Sequence, residues 1–263
     1  MQLLEKHASL AVQLDKNNYR RPLFLESSDD SKSVIGHAYA VLDSSFSTFS
    51  ATFASPARWC DVLILHLNTK YCRAQADTSP TTIKMNIGKK TEQKLQESFA
   101  LTFAHRLVTA SQTYLAVQLN ANEGPLGTNN YRIELQAVPL AAGKTFVHFR
   151  YSYGYGVSSR LAMQAYLSTV GSGKIGFTQT AQGQKTSYVG GVRGAVERNT
   201  MRYYLAIEAY LASLNQSMAQ QLDSRLQYWF DATEEYAQQL HEIEKSAYLN
   251  MKISEYRRQQ KDP

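Results

Sequence analysis

Polar and apolar residues alternate strictly through Lys144–Gly156, KTFVHFRYSYGYG. Phe146, His148, Arg150 and Ser152 fall on one side, and Val147, Phe149, Tyr151, Tyr153 and Tyr155 on the other. A period of two with this density of aromatic residues predicts a β-strand. Val34–Asp43 repeats the pattern with Ile35, His37, Tyr39 and Val41 together. So do Glu97–Thr109, Thr113–Asn120 and Tyr131–Ala137. Turn formers separate the later segments, at Asn122–Asn130 and Pro139–Gly143, which predicts an antiparallel meander and not a β-α-β series. His66–Ala76 and Thr81–Lys89 read as strands or strand-like connections around a turn at 77–80. The polar run Glu26–Ser33 reads as a loop.

Other stretches follow a helical period. Leu3, His7, Leu10 and Leu14 form one stripe over Met1–Asn17. Ser44 or Ser45 is placed to cap a short helix carrying Phe46, Phe49 and Phe53, and Ser55-Pro56 opens a second one. Val157–Val170 has helical spacing and ends at Gly171–Gly173. Ile175–Thr178 reads as a short strand and Ala181–Ser187 as a polar loop. Gly190–Leu214 is a long amphipathic helix with Val192, Val196, Thr200, Tyr203, Ile207, Tyr210 and Leu214 on one stripe. Beyond it, Leu222, Leu226, Trp229, Thr233, Tyr236, Leu240, Ile243 and Ala247 keep heptad spacing, which predicts one helix from Ser217 to about Arg258. That seam could pair within the chain or with a second copy.

A strand, a short helix, and then Pro56, Trp59 and Leu63 at the start of a second helix resemble the opening of the START-like, helix-grip proteins. These include lipid-transfer START domains, Bet v 1-type allergens and polyketide cyclases. The order of elements keeps matching from about Val34 to Leu214. The resemblance implies an α+β fold in which a curved antiparallel sheet wraps around a long helix and encloses an apolar pocket, here with extra N- and C-terminal helices. Three parts are expected: residues 1–33 as an N-terminal helix and loop, 34–214 as the helix-grip domain, and 215–263 as the heptad helix.

Composition narrows the classes. With 43% hydrophobic and 19% charged residues the chain suits a soluble globular protein, and no apolar run is long enough to span a bilayer as a helix. The net charge of +6 is mild and carries no Lys/Arg cluster of the kind that tracks a phosphate backbone, so nucleic acid is not an expected partner. The excess lies in the body, since Ser217–Pro263 holds six basic and eight acidic residues. A basic body leaves transient contact with an anionic membrane surface open. Cys60 and Cys72 suit either a local disulfide in an oxidising, periplasmic or otherwise extracytoplasmic compartment, or two buried thiols in the cytoplasm.

Searched for chemistry, the chain offers little. GSGKIG at Gly171–Gly176 lacks the Gly-Lys-Ser/Thr ending of a phosphate-binding loop, and no Gly-x-Ser-x-Gly elbow occurs. The six histidines have no metal-ligand spacing, and neither a metal nor a cofactor is expected. His37, His105 and His148 fall on expected strands and could converge in a cavity. His105, His148 and Glu134 are the candidates for acid–base work if the protein is a cyclase- or hydratase-type enzyme on a hydrophobic substrate. The leading expectation is non-catalytic binding or transfer of a hydrophobic or lipid-like molecule. Its expected lining is Phe103, His105, Leu115, Val117, Phe149, Tyr151, Tyr153, Tyr203 and Ile207. A third reading gives the working role to the C-terminal helix as an interaction surface, with self-association through it.

Overall fold

A computed structural model describes residues 2–75, 79–156, 161, 173–182 and 185–261. Its alternating segments become strands β1 (Leu23–Asp29), β2 (Ser33–Leu42), β3 (Thr69–Gln75), β4 (Thr82–Ile87), β5 (Phe99–Ala110), β6 (Leu115–Glu123), β7 (Thr128–Pro139) and β8 (Thr145–Tyr155). They join in one antiparallel sheet of order β1-β2-β8-β7-β6-β5-β4-β3. The meander therefore returns β8 to the side of β2, across the two helices that separate β2 from β3. Those helices are α3 (Phe46–Phe53) and α4 (Pro56–Leu63). Ser45 caps α3 by accepting from the Thr48 amide at 3.2 Å, and Pro56 occupies the first turn of α4. The fold is α+β, a curved antiparallel sheet with the long helix α5 (Gly191–Ser213) and additional terminal helices: the helix-grip arrangement.

By contacts the chain divides into two compact units, residues 1–54 with 106–201, and residues 55–105 with 202–263. In the first unit the sheet has two covered faces. On one, Gly36 lies so close to α5 that a Cβ there would meet Thr200 Oγ1 at 2.3 Å. Ala38 and Ala40 continue this row of small residues along β2, and both are fully buried. On the other face, α1 (Gln2–Ser9) and α2 (Ala11–Asp15) seat Leu3, Leu10 and Leu14 against Tyr39, Val138 and Phe146. The expected N-terminal helix is thus two helices that meet at Leu10, with the expected stripe facing inward.

Three local expectations are corrected. Glu26–Asp29, read as loop, is the second half of β1. Leu23 and Leu25 anchor it, and Glu26 pairs with His37 in the ladder, so backbone pairing with β2 overrides its polar composition. The tract around 181–187 is a hairpin, with β9 (Gln179–Gln182) paired to β10 (Lys185–Tyr188), and Ile175–Thr178 is not a strand. The expected helix at Val157–Val170 lies outside the described residues, apart from Leu161. Helix α5 also differs from a simple amphipathic stripe, because every residue from Thr200 to Ile207 is buried.

The second unit holds the C-terminal segment, which is not one helix. It forms α6 (Met218–Glu234), α7 (Ala237–Leu240) and α8 (Lys245–Lys261), so the expected continuous helix to Arg258 is interrupted at 235–236 and 241–244. The heptad positions Leu226, Trp229, Thr233, Tyr236 and Leu240 are buried within the unit, whereas Ala247 is exposed. Trp229 donates from Nε1 to the Arg202 carbonyl at 3.0 Å and stacks on Tyr248 of α8 at 4.9 Å. Lys252, wholly buried, donates to the carbonyls of His66 and Thr69 and to Glu255, each at 2.7 Å. Glu255 also pairs with the buried Lys70 at 3.0 Å. A disulfide joins Cys60 of α4 to Cys72 of β3. Among the described residues, no helix is long and apolar enough to cross a membrane.

Candidate ligand-binding face

The register of the first unit fixes which side chains share the face beside α5. Leu115 opposes Ala137, which opposes Val147 and then Ala40. The next row is Val117, Leu135, Phe149 and Ala38, and the next is Leu119, Ile133, Tyr151 and Gly36. Tyr153, opposite Val34, continues it. Strand periodicity thus brings Leu115, Val117, Phe149, Tyr151 and Tyr153 of the expected lining onto one surface. All five are buried.

One end of this surface is built of tyrosines. The Tyr131 and Tyr153 rings stack at 5.3 Å, and Tyr151 meets Tyr153 at 5.8 Å. Their hydroxyls are apolar-site hydroxyls: burial raises the pKa of Tyr131 and, further, of Tyr153. Tyr131 shares a 2.8 Å hydrogen bond with Thr128 Oγ1, and Tyr155 donates to the Asp30 carbonyl at 2.9 Å. Glu197 of α5 is fully occupied by other partners. It accepts from the amides of Phe177 and Thr178 at 2.5 and 2.9 Å, from Thr178 Oγ1 at 2.6 Å, and from Ser27 Oγ. A carboxylate with four donors ties these segments together and serves structure.

The remaining expected lining residues belong to the second unit. Phe103 pairs with Ile83 across β4 and β5 and is 2% exposed. His105 is buried, with its pKa lowered by desolvation, and its Nε2 has no hydrogen-bond partner among the described residues. On α5, Tyr203 stacks on His66 at 4.7 Å, and Ile207 is buried.

Two of the three strand histidines come together. His37 and His148 lie on the opposite face of the first unit, under α1, where His37 Nδ1 and His148 Nε2 are 2.8 Å apart. His148 also stacks on Tyr39 at 4.3 Å, and Lys6 sits 4.6 Å over that tyrosine. His105 belongs to the other unit. Glu134 is engaged by Arg150 at 2.9 Å on the face away from the tyrosines. Strand parity thus turns His148 and Glu134 to the face away from the tyrosines.

Sequence reasoning missed a further feature of the first unit. A depression of about 630 Å3 opens where the β1–β2 turn meets the ends of β7 and β8, lined among others by Lys32, Asn129, Arg132, Arg150 and Ser152. The alternation places Arg150 and Ser152 on one side of β8. The approach of Lys32 depends on a turn that composition alone did not reveal.

No family model matches the chain, and no curated protein matches its sequence. Solved structures resemble it at low similarity. A norcoclaurine synthase point mutant from Thalictrum flavum, in complex with a transition state analogue, is 15% identical over 54% of this chain and 89% of its own, with a TM-score of 0.38. Human StAR-related lipid transfer protein 5 is 9% identical over 82% of this chain and 97% of its own, at 0.41. The lipid transfer and protein localization domain of human StarD13 is 9% identical over 60% and 88%, at 0.32. The α+β arrangement of one antiparallel sheet and a long helix rests on the chain's own strand order and elements.

Proposed function

We propose that the protein binds a hydrophobic or amphiphilic small molecule without transforming it, using the tyrosine-ended face as one wall of the site. The observation that supports this is the composition of that face. Leu115, Val117, Phe149, Tyr151 and Tyr153 give apolar area with hydroxyl handles, and Glu197 of α5 is consumed by four donors. Apolar area with a few convergent polar groups suits retention of a lipid-like or polycyclic molecule. Each methylene buried would contribute about 0.8 kcal/mol, so affinity needs no reactive group. Phe103, His105, Tyr203 and Ile207 are proposed lining residues within the second unit, and residues 34–214 the proposed binding domain. The disulfide supports an extracytoplasmic setting, where such bonds persist. The basic body supports transient contact with an anionic membrane.

Native mass spectrometry and solvent extraction of the purified protein test the reading. The expected result is a co-purifying lipid-like molecule, or uptake of an added fatty acid, sterol or polyene. Tyr153→Leu should weaken retention of a polar-headed ligand by roughly tenfold, the worth of about one hydrogen bond in a dry site. A protein that extracts empty and takes up none of the three classes would overturn it.

A second reading follows from His105, a buried imidazole held neutral. If the protein is a cyclase- or hydratase-type enzyme, His105→Gln should abolish turnover while leaving ligand retention intact. Loss of both together would assign His105 to packing.

A further inference from the structure

We propose that the depression at the β1–β2 turn is a binding site for a phosphate-bearing oxyanion, adjoining the tyrosine-ended face at Tyr153 and Tyr155, which also line it. Three cations line it, Lys32, Arg132 and Arg150. Arg132 opposes Ser152 in the β7–β8 ladder, one diagonal step from Arg150, so two guanidinium groups share one sheet face as neighbours. Like charges so placed repel each other, and an anion between them removes the cost.

Each guanidinium is fixed by one nitrogen and keeps the rest of its fork. Arg150 donates from Nη1 to Glu134 Oε1 at 2.9 Å. Arg132 donates from Nη1 to the carbonyls of Tyr131 at 2.8 Å and Ala121 at 3.3 Å. Among the described residues, their other nitrogens have no hydrogen-bond partner, so each retains donors with the planar geometry that recognises phosphate and carboxylate oxygens. Glu134 neutralises Arg150, and Asp30 lies within electrostatic reach of Lys32, so Arg132 is the cation of the three without a facing carboxylate among the described residues.

The walls are preorganised. Asp30 holds the turn by accepting from the amides of Lys32 and Ser33, each at 2.7 Å. The Tyr155 amide donates to the Lys32 carbonyl at 2.8 Å, and the Tyr155 hydroxyl donates to the Asp30 carbonyl, so β8 pins the rim. Gly154 lets Asn129 close in beside it, since a Cβ there would meet Asn129 Oδ1 at 2.5 Å and push that amide aside. The volume of about 630 Å3 is that of a small-molecule site and exceeds what inorganic phosphate fills, so a phosphate ester fits better than the free ion.

The ester could come as a soluble metabolite or as a lipid headgroup, and two arms of one experiment separate them. Glycerol 3-phosphate is titrated by calorimetry and by amide chemical shifts. In parallel, sedimentation is measured with vesicles of phosphatidylcholine alone and with phosphatidic acid added. Binding of the soluble ester, with shifts at Lys32, Ser33, Ser152 and Gly154, supports a soluble ligand. Sedimentation only with phosphatidic acid supports a headgroup. In either case Lys32→Gln and Arg132→Gln should each weaken binding roughly tenfold, as loss of a charge-assisted bond does. Lys32 is exposed, so its substitution keeps the test valid if Arg132→Gln fails to fold. No binding in either arm, or binding that Lys32→Gln leaves unchanged, overturns the proposal. The tyrosine-face reading is tested separately by extraction, so either can fail alone.

Discussion

Gly36 shows how one missing side chain positions a helix. A Cβ at this site would lie 2.3 Å from Thr200 Oγ1 and 3.3 Å from Thr200 Cβ, so Gly36→Ala forces α5 or β2 to shift. The expected cost is about 1–3 kcal/mol, the range for overpacking a filled interior, measured as a lower urea midpoint. Adding Thr200→Ala should recover part of that loss, because the obstructing hydroxyl goes with it. The His37–His148 pair makes a second prediction at this scale. Burial holds both imidazoles below their usual value, His148 at about 3, with Arg150 and Lys6 acting in the same direction on both and Glu26 opposing on His37. An unfolded chain takes up these protons near pH 6.5, so between about 3 and 6.5 the unfolded state binds more protons. Stability contributed by the neutral pair is therefore full above 6.5 and is lost as the pH falls through that window, by up to about 1.4 kcal/mol per unit for one group. His148→Gln should flatten urea midpoints between pH 4 and 6.5. An unchanged slope would assign the acid sensitivity elsewhere.

At the scale of elements, α8 is held by charge as much as by apolar packing. Lys252→Met removes the cation that serves two carbonyls and Glu255, leaving Lys70 as the remaining partner of that carboxylate among the described residues. Breaking one side of a buried pair costs about 3–5 kcal/mol, so amide exchange along α8 should accelerate. The double variant Lys252→Met with Glu255→Gln should lose less than Lys252→Met alone. None of this was legible in the sequence, where nothing in the heptad pattern marks Lys252 and Glu255 as buried. The strands were legible because burial on one face enforces alternation, as in Phe149, Tyr151 and Tyr153. Strand β1 was not, since Glu26-Ser27-Ser28-Asp29 is polar by composition and its pairing depends on β2. The breaks after Glu234 and Leu240 carry no proline or glycine, so the heptad count ran through them. The tyrosine wall could be read from β8, while the depression needed the Lys32 turn brought beside β7.

At the scale of the whole chain, the C-terminal helices are part of a core. Ending the chain after Leu214 would remove Trp229, Leu226, Tyr248 and Lys252, each buried, from the second unit. Such a truncation should lose that unit's cooperative unfolding transition, so an oligomeric change after truncation would report unfolding as well as any lost interface. Opening the Cys60–Cys72 bridge, by reductant or by serine at both positions, should cost roughly 2–4 kcal/mol and lower the melting temperature. An unaltered melting curve in reductant would place no weight on the bond.

The chain's two tryptophans, Trp59 and Trp229, both belong to the second unit, and each is 1% exposed. The tyrosine group Tyr131, Tyr151, Tyr153 and Tyr155 belongs entirely to the first. The molecule thus carries its indole label in one half only. Indole emission, shifting red as water reaches the rings, reports the second unit alone. Near-ultraviolet dichroism reports both, because buried Tyr204, Tyr210 and Tyr248 of the second unit add to the packed phenols of the first. A single denaturation series read by emission and by dichroism should therefore show whether the two halves come apart together, with coincident curves, or in turn, with a further step in the dichroism, with no dye attached and no residue changed.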